Sequence, residues 1–407
     1  MEIDQGDFLL TEAEFSAALN SPGVNTNDLG IRTLPQAARK GRETAGDPYR
    51  ELDAELRTSL KRAIDTLAAP AKIARFHYTV ADRTISRCLL AWSPDMEDTI
   101  VTAVKTGESR RVGTWSQSDI ISLISRVLAA NDTLREENIS LALSTRAIVV
   151  LLAITEHLRL LHYYSVMRHS EPLQIFNKAE VEARLADAAN EDFRWPLLFL
   201  EKVMPVSVPR ALSPDDVERA IDELLTAGLV ENADGEGKIA VYELTGMALR
   251  ISDELLHDVS KVALGISTFR EDGQIGHEVM LLVRSSFNLF LFDLAGQDGA
   301  VVSLSADELD ALMKHSLAQP SLSPPVSSVR SVKERANAAQ TRRSAAPASA
   351  NCPSCGAELV GESLFCDKCG NPVRGSSPAQ CAKCEAELAE GAKFCKKCGT
   401  PVKKRAG

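Results

Sequence analysis

The chain has 407 residues, room for two or three domains, and its 56 acidic against 46 basic side chains leave a formal net charge of −10. The imbalance is uneven: residues 1–318 hold 49 acidic and 32 basic side chains, a net of −17, whereas residues 319–407 are net basic. A body this acidic does not adhere to a phosphate backbone without a local basic face, and no run of apolar residues approaches the ~20 needed to cross a bilayer.

In chain order, the first signal is a capping box at Thr11 and Glu14, with Leu10 and Phe15 placed to staple the helix that follows. Residues 50–68 carry Leu52, Leu56, Leu60, Ile64 and Leu67 on one helical face. Strand runs follow at Ile73–Val80, Ile85–Trp92 and Thr99–Val104, and then a helix. A long helical region is expected from about residue 132 to 168. Its apolar run, Ala147 to Ile154, is closed by Thr155, Glu156 and His157, which predicts a buried helix.

Between residues 172 and 246, Lys178–Ala188 and Trp195–Val203 are expected to be helical. Ser213 can cap the next helix, with Pro214 at its first position and Gly228 beyond its end. Val217, Ile221, Leu224 and Leu225 give that helix its core face. Leu229–Glu231, a turn at 232–237 and Ile239–Leu244 then predict a hairpin. This order of helices and hairpin resembles a winged helix. In a DNA-reading winged helix the third helix enters the major groove with basic and amide side chains. Here it carries Asp215, Asp216, Glu218, Asp222 and Glu223 against Arg219 alone, and the hairpin adds Glu231, Asp234 and Glu236. Duplex binding through that face would be repulsive, so a scaffold or protein-contact role is expected.

Strand runs return at Val259–Thr268, Ile275–Val283 and Phe287–Phe292, again followed by a helix. The two halves match residue by residue at the strand-to-helix junction. Val112 to Ile120 aligns with Val301 to Leu309 at a constant offset of 189, which places Ser116 over Ser305 and Asp119 over Glu308 as paired capping boxes. Ile120, Leu123 and Ile124 align with Leu309, Leu312 and Met313 as the buried stripe.

In organisation the body resembles the EspG-family chaperones of type VII secretion. The matching stretches are Phe8-Leu9-Leu10-Thr11-Glu12-Ala13-Glu14, the entry from Ala68-Ala69-Pro70 to Val80, and Gly273-Gln274-Ile275-Gly276 leading into strands. The resemblance implies a capped N-terminal helix, two strand-rich halves related by pseudo-twofold symmetry about a helical middle, and a chaperone or adaptor role. The winged-helix-like insert and the C-terminal tail depart from that family.

Gln319 to Ala350 is rich in Pro, Ser and Ala and offers little to bury, so a flexible linker is expected, spanning on the order of 30 Å. Arg330, Lys333, Arg335, Arg342 and Arg343 make it mildly basic. Beyond it lie eight of the nine cysteines, in four Cys-x-x-Cys pairs. Cys352 and Cys355 are answered by Cys366 and Cys369, and Cys381 and Cys384 by Cys395 and Cys398, each cysteine of the second unit lying 29 positions after its counterpart. Two thiolates two residues apart grip one ion from a tight turn, and a second such pair completes the tetrahedron. Gly356, Gly370 and Gly399 follow three of the pairs, and Glu385 follows the fourth. The tail resembles the double zinc ribbon family, whose members act mostly as interaction or nucleic-acid-contact modules. All eight ligands are thiolates and residues 351–407 contain no His, so closed structural sites are expected rather than an open catalytic one. Disulfides would be the alternative, in an oxidising compartment. Each four-thiolate zinc site carries a formal −2, so the nine basic and six acidic side chains of residues 351–407 leave the loaded module near −1.

Chemistry elsewhere is sparse. Cys88 stands in an apolar strand and reads as core; His157, His162 and His169, near Tyr163 and Tyr164, read as core or surface residues or as part of a contact surface. The sequence contains no Walker loop, no Gly-x-Gly-x-x-Gly after a strand, no His-Glu-x-x-His and no Gly-x-Ser-x-Gly. The acidic start, Met1 to Asp7, has no apolar run, which predicts no signal peptide and a reduced, cytoplasmic setting.

The expected fold class is α+β: pseudo-repeated strand-strand-strand-helix halves around a helical, winged-helix-like insert, followed by a flexible linker and two zinc ribbons. The expected segments are an N-terminal half with the long helix (1–171), the insert (172–246), a second half (247–318), the linker (319–350) and the two ribbons (351–374 and 375–407). The expected function is a non-enzymatic adaptor or chaperone-like protein. Its body binds a protein partner and its ribbons make a second macromolecular contact, with no small-molecule substrate and no membrane span. The alternative is a nucleic-acid-associated regulator using Lys383, Lys393, Lys396, Lys397, Lys403, Lys404 and Arg405. The ligand set predicts about two zinc ions per chain by metal analysis; one ion or none contradicts it.

Overall fold

The computed structural model describes residues 2–4, 7–33, 49–50, 52–80, 85–93, 95–96, 99–130, 134, 139–187, 195–204, 212–233, 240–269, 274–294 and 298–319. The expected linker beyond Gln319, and all eight clustered cysteines, lie outside the described residues.

The chain opens with β1 (Glu2–Asp4), β2 (Asp7–Thr11), α1 (Glu12–Leu19), α2 (Asp28–Thr33) and α3 (Ala54–Ala68). A meander of β3 (Lys72–Val80), β4 (Ile85–Trp92), β5 (Thr99–Thr106) and β6 (Ser109–Ser116) runs into α4 (Gln117–Val127). Next come β7 (Ser140–Ser144) and the long α5 (Thr145–Arg168). The insert holds β8 (Ile175–Phe176), α6 (Lys178–Asp187), α7 (Pro196–Val203), α8 (Pro214–Thr226), β9 (Val230–Asn232) and β10 (Tyr242–Leu244). Finally α9 (Gly246–Leu255) leads to β11 (Ser260–Phe269), β12 (Ile275–Arg284), β13 (Leu289–Asp293), β14 (Asp298–Ser303) and α10 (Ala306–Ser316).

The α+β expectation holds, and the repeat runs deeper than the junction that first indicated it. One eleven-stranded antiparallel sheet has the order β1-β2-β6-β5-β4-β3-β11-β12-β13-β14-β7. Setting β1 aside, the order is symmetric about the β3–β11 pair. Each half comprises an edge strand running into a helix, a second helix leading to a four-strand meander, and a closing helix. Both closing helices carry the expected capping boxes, at Ser116 with Asp119 and at Ser305 with Glu308. Each box satisfies amides that a helix start leaves without partners, worth about 1 kcal/mol.

Three strands depart from the sequence reading. Each meander has a fourth strand, β6 or β14, where a direct passage into the helix was expected. In β6 the polar members Arg110, Arg111 and Thr114 concealed the period, and β14 is buried on both faces from Gly299 to Val302, so it shows no alternation. Residues 140–144 form a strand and not the start of a helix: Leu141 and Leu143 turn inward with period two, and Ser144 then caps α5 by accepting from the Ala147 amide. The long helix therefore begins at Thr145. By length and composition α5 could cross a bilayer, but 67% of its most apolar window is buried within the body. It serves as a core helix.

Helices cover both faces of the sheet. α4 and α10 pack on each other and on one face, over Phe76, Leu90, Trp92, Leu264, Leu282 and Leu291. On the other face, α1 and α3 cover the N-terminal half, over Leu89, Val101 and Val112. There α5 and α7 cover the C-terminal half, over Leu281, Phe290, Phe292 and Val301. Lys72 is buried and donates to the carbonyls of Ser316 (2.6 Å) and Ala318 (2.8 Å), while Trp92 Nε1 donates to that of Leu317 (3.1 Å). These bonds pin the carbonyl end of α10, where a cation also meets the negative end of the helix dipole.

Within the insert, α6 and α8 pack against each other and against α5, beside the small sheet β8-β10-β9. The winged-helix-like unit thus takes its first helix from α5. α7 instead lies on the main sheet over β3, β11 and β12. Gly265 makes that approach feasible: a Cβ there would stand 2.1 Å from the Val203 carbonyl oxygen at the end of α7. Gly265→Ala must push α7 off the sheet or bend β11. It should lower stability by about 1–3 kcal/mol in chemical denaturation; an unchanged midpoint would contradict this packing.

Candidate protein-interaction surface

A candidate interaction surface of the body lies where α5 outgrows the core. Up to Arg159 the helix is largely buried; over its last two turns most side chains emerge. The helix closes on His169 in the left-handed region (φ 52°), with the Ser170 amide donating to the Ser165 carbonyl at 3.0 Å. The emerging side chains are nonetheless apolar. Tyr163, Tyr164, Val166 and Met167 on the helix, then Leu173 and Ile175 beyond it, are all exposed, Met167 to 67% and Leu173 to 62%. A shallow cavity of about 190 Å³ opens there between Leu161, Tyr164 and Leu173, with Arg168 and Glu171 at its rim. Clustered exposed apolar side chains of this kind mark interaction sites, and aromatic residues and Met are enriched in interface cores.

A buried charge network holds this surface in place. Asp258, at the entry to β11 and inaccessible to solvent, takes ion pairs from Arg159 (2.8 Å) and Lys261 (2.9 Å). Arg159 Nε donates to the Tyr163 hydroxyl at 3.1 Å, and its guanidinium lies 5.6 Å from the Tyr163 ring and 5.5 Å from the Trp195 ring. Arg184 of α6 lies 5.5 Å from the Trp195 ring as well. One turn back on α5, Glu156 Oε1 accepts from the Leu197 amide at 2.7 Å and so holds the start of α7. Burial pushes the Glu156 carboxyl up from its ordinary 4.5 to about 8, against the lowering influence of that amide and of Arg184, Arg159 and Lys261.

Three carboxylates of the acidic third helix of the insert have partners on α5 and α6. Glu223 accepts from the Ser144 amide (2.7 Å) and hydroxyl (2.6 Å), Asp216 pairs with Arg146 at 2.8 Å, and Glu218 pairs with Lys178 at 2.7 Å. These contacts bind α8 to α5 and α6. The other expected roles fall out as follows. Cys88 is buried, and burial raises its thiol to about 12, so it is inert core. His157 is half-buried, 3.7 Å from Glu180, and burial lowers its pKa. Among the described residues no three His, Cys, Asp or Glu side chains are grouped to hold a metal ion. The sequence hinted at this surface through Tyr163, Tyr164 and His169, but missed Val166, Met167, Leu173 and Ile175, since an apolar residue on a helix reads as core until the end of the core is known.

Comparison with known proteins adds two findings. The family model described as double zinc ribbon matches residues 352–403, which span all eight clustered cysteines, a match that implies zinc binding by the tail. No curated protein matches the chain. Among solved structures, the body is weakly similar to the Mycobacterium tuberculosis type VII secretion system chaperone EspG5, solved in complex with a PE25–PPE41 dimer. That match has 11% identity and a TM-score of 0.36, and it covers 79% of this chain and 99% of that one.

The raised Glu156 carboxyl has a consequence for stability. Its pKa is higher folded than unfolded, so the folded chain keeps a proton that the unfolded chain has released between pH 4.5 and about 8. This contribution is fully present below pH 4.5 and is lost as pH rises through about 8. Glu156→Gln keeps the acceptor for Leu197 and cannot ionise. The stability difference between variant and wild type should therefore grow in the variant's favour from pH 5 to pH 9; a pH-independent difference in denaturant midpoints counts against a neutral Glu156.

Proposed function

We propose that the chain is a non-enzymatic adaptor or chaperone-like protein. The α+β body binds a protein partner at the exposed end of α5, and the double zinc ribbon makes a second macromolecular contact. The carrying observation is the cluster of Tyr163, Tyr164, Val166, Met167, Leu173 and Ile175 on the surface of an otherwise acidic body. Arg159 fixes Tyr163 before any partner arrives, which lowers the ordering cost of association. The ribbons support the same reading. Four thiolates per ion leave no open coordination position for a substrate or an activated water, so two such sites serve folding and contact rather than chemistry.

The alternative, a nucleic-acid-associated regulator, would use the lysines of the second ribbon, from Lys383 to Lys404. The two readings separate in one experiment on the full chain. Partners captured by the wild type are compared with those captured by Tyr164→Ser/Met167→Ser and by wild type stripped of zinc. The double variant should lose the body's partner by about tenfold or more in affinity and keep the ribbon's contact; zinc removal should do the reverse. Capture unchanged by both treatments overturns the proposal. Nucleic acid bound at about 50 mM salt and released by about 200 mM assigns the tail to the alternative.

A further inference from the structure

A second surface, independent of the α5 patch, lies on the seam between the halves. On the face of the sheet away from α4 and α10, β3 presents Arg75, His77 and Thr79, alternating with Ala74 and Phe76 on the opposite face. Arg87 of β4 stands directly across from His77, which places their Cβ atoms about 5 Å apart. Lys202 of α7 adds its charge at the same ring, and the end of that helix is tied to the strand by the bond from Arg75 to the Met204 carbonyl (3.1 Å). Arg75 and Arg87 thus flank one imidazole on the sheet, and the charge of Lys202 is felt there as well.

Three features of this place point to a ligand. The strands β3, β4, β11 and β12 contain a single carboxylate, Glu278, and it faces the other way, toward Lys72. In a body with 17 more acidic than basic side chains, this floor carries only positive charge from its strands. His77 is 9% exposed, and its Nδ1 is buried without a hydrogen-bond partner. Burial, then Arg87, Arg75 and Lys202, hold the ring neutral down to about pH 3, so its unmatched nitrogen belongs to an uncharged imidazole in a cationic surround. Each guanidinium offers five N–H donors in a planar fork, which suits an oxygen anion even while some donors serve other acceptors.

We propose that this seam binds an oxyanion, a phosphate or a carboxylate, with Arg75, Arg87 and Lys202 supplying the charge and His77 forming the floor. The ligand sits where the two halves meet, so its occupancy reports on both.

The test uses the full chain labelled with ¹⁵N at histidine, with the His77 ring signals identified by their loss in His77→Gln. Sodium phosphate is titrated in against sodium chloride at matched ionic strength, and sodium acetate forms a parallel arm. The His77 signals should shift saturably, with half-saturation on the order of 1 mM and a thermal midpoint that rises with phosphate. Arg87→Gln/Lys202→Gln should need about tenfold more ligand for the same shift. If that double variant does not fold, Lys202→Gln alone, a change on a half-exposed helical position, should still weaken the response severalfold. Saturation by acetate at similar concentrations identifies a carboxylate ligand, and saturation by phosphate alone identifies a phosphate. His77 signals that move no further in either anion than in chloride overturn the proposal, as does an equal response in the folded variant.

Discussion

The antiparallel pairing of β3 with β11 is the constraint on which the rest depends. Nine cross-strand pairs, from Val80 with Ser260 to Lys72 with Thr268, join two four-strand meanders into one sheet. Neither meander could remain with that edge open: Phe76 and Tyr78 on β3, and Val262 and Leu264 on β11, would expose apolar side chains beside unpaired backbone groups. Once the strands pair, α4 and α10 meet across the junction and share one core, and α7 can lie across both strands because Gly265 offers no side chain. The seam is therefore the place where every layer of the body is read by both halves.

That constraint also explains how an acidic insert is tolerated. A helix bearing five carboxylates at the surface would repel its neighbours in an already acidic protein. Three of the five are instead matched: Glu223 to the amide and hydroxyl that start α5, Asp216 to Arg146, and Glu218 to Lys178. Glu223 is worth more than the exposed pairs, because it satisfies a backbone amide at the start of a helix rather than only screening a charge. Three of the five carboxylates of that helix are thus matched by groups on α5 and α6, and the winged-helix-like shape alone says nothing about DNA.

Much of the architecture was legible in the sequence because the repeat left its trace where side-chain chemistry is most demanding. A capping box needs a hydroxyl and a carboxylate three residues apart, so Ser116 with Asp119 and Ser305 with Glu308 announced equivalent helix starts. The same signal located Thr11, and a capping serine ahead of Pro214 located Ser213. Among the elements that escaped were β6, β14 and β7, whose periodicity was blurred by polar residues, by burial on both faces or by the apolar start of α5, along with β1, β2, β8, α2 and α9. The candidate surface was only half legible. Tyr163 and Tyr164 stood out, but Met167 and Leu173 resemble core residues in any single sequence, and only the point where α5 leaves the body separates the two. The seam around His77 was invisible, since its basic residues come from β3, β4 and α7 and converge only through strand register. The cysteine spacing, by contrast, lies within neighbouring residues of the sequence, and the double zinc ribbon family model matches that same stretch.

The charge network beneath the α5 surface bears on the contact proposed for that surface. A buried cluster of ions seldom stabilises a fold more than well-packed apolar side chains would, although removing one member is costly, about 3–5 kcal/mol. Asp258, Lys261 and Arg159 are therefore poorly explained as a device for stability alone. Their geometric effect is plainer. Lys261 lies in the central strand pair, Asp258 is held by Lys261, Arg159 by Asp258, and the exposed Tyr163 by Arg159. An aromatic side chain at the rim is thus fixed to the most constrained strand of the sheet through directional contacts, which apolar packing would not supply. A surface residue fixed in this way gives up little freedom on binding, and a partner of the wrong shape gains nothing from its movement.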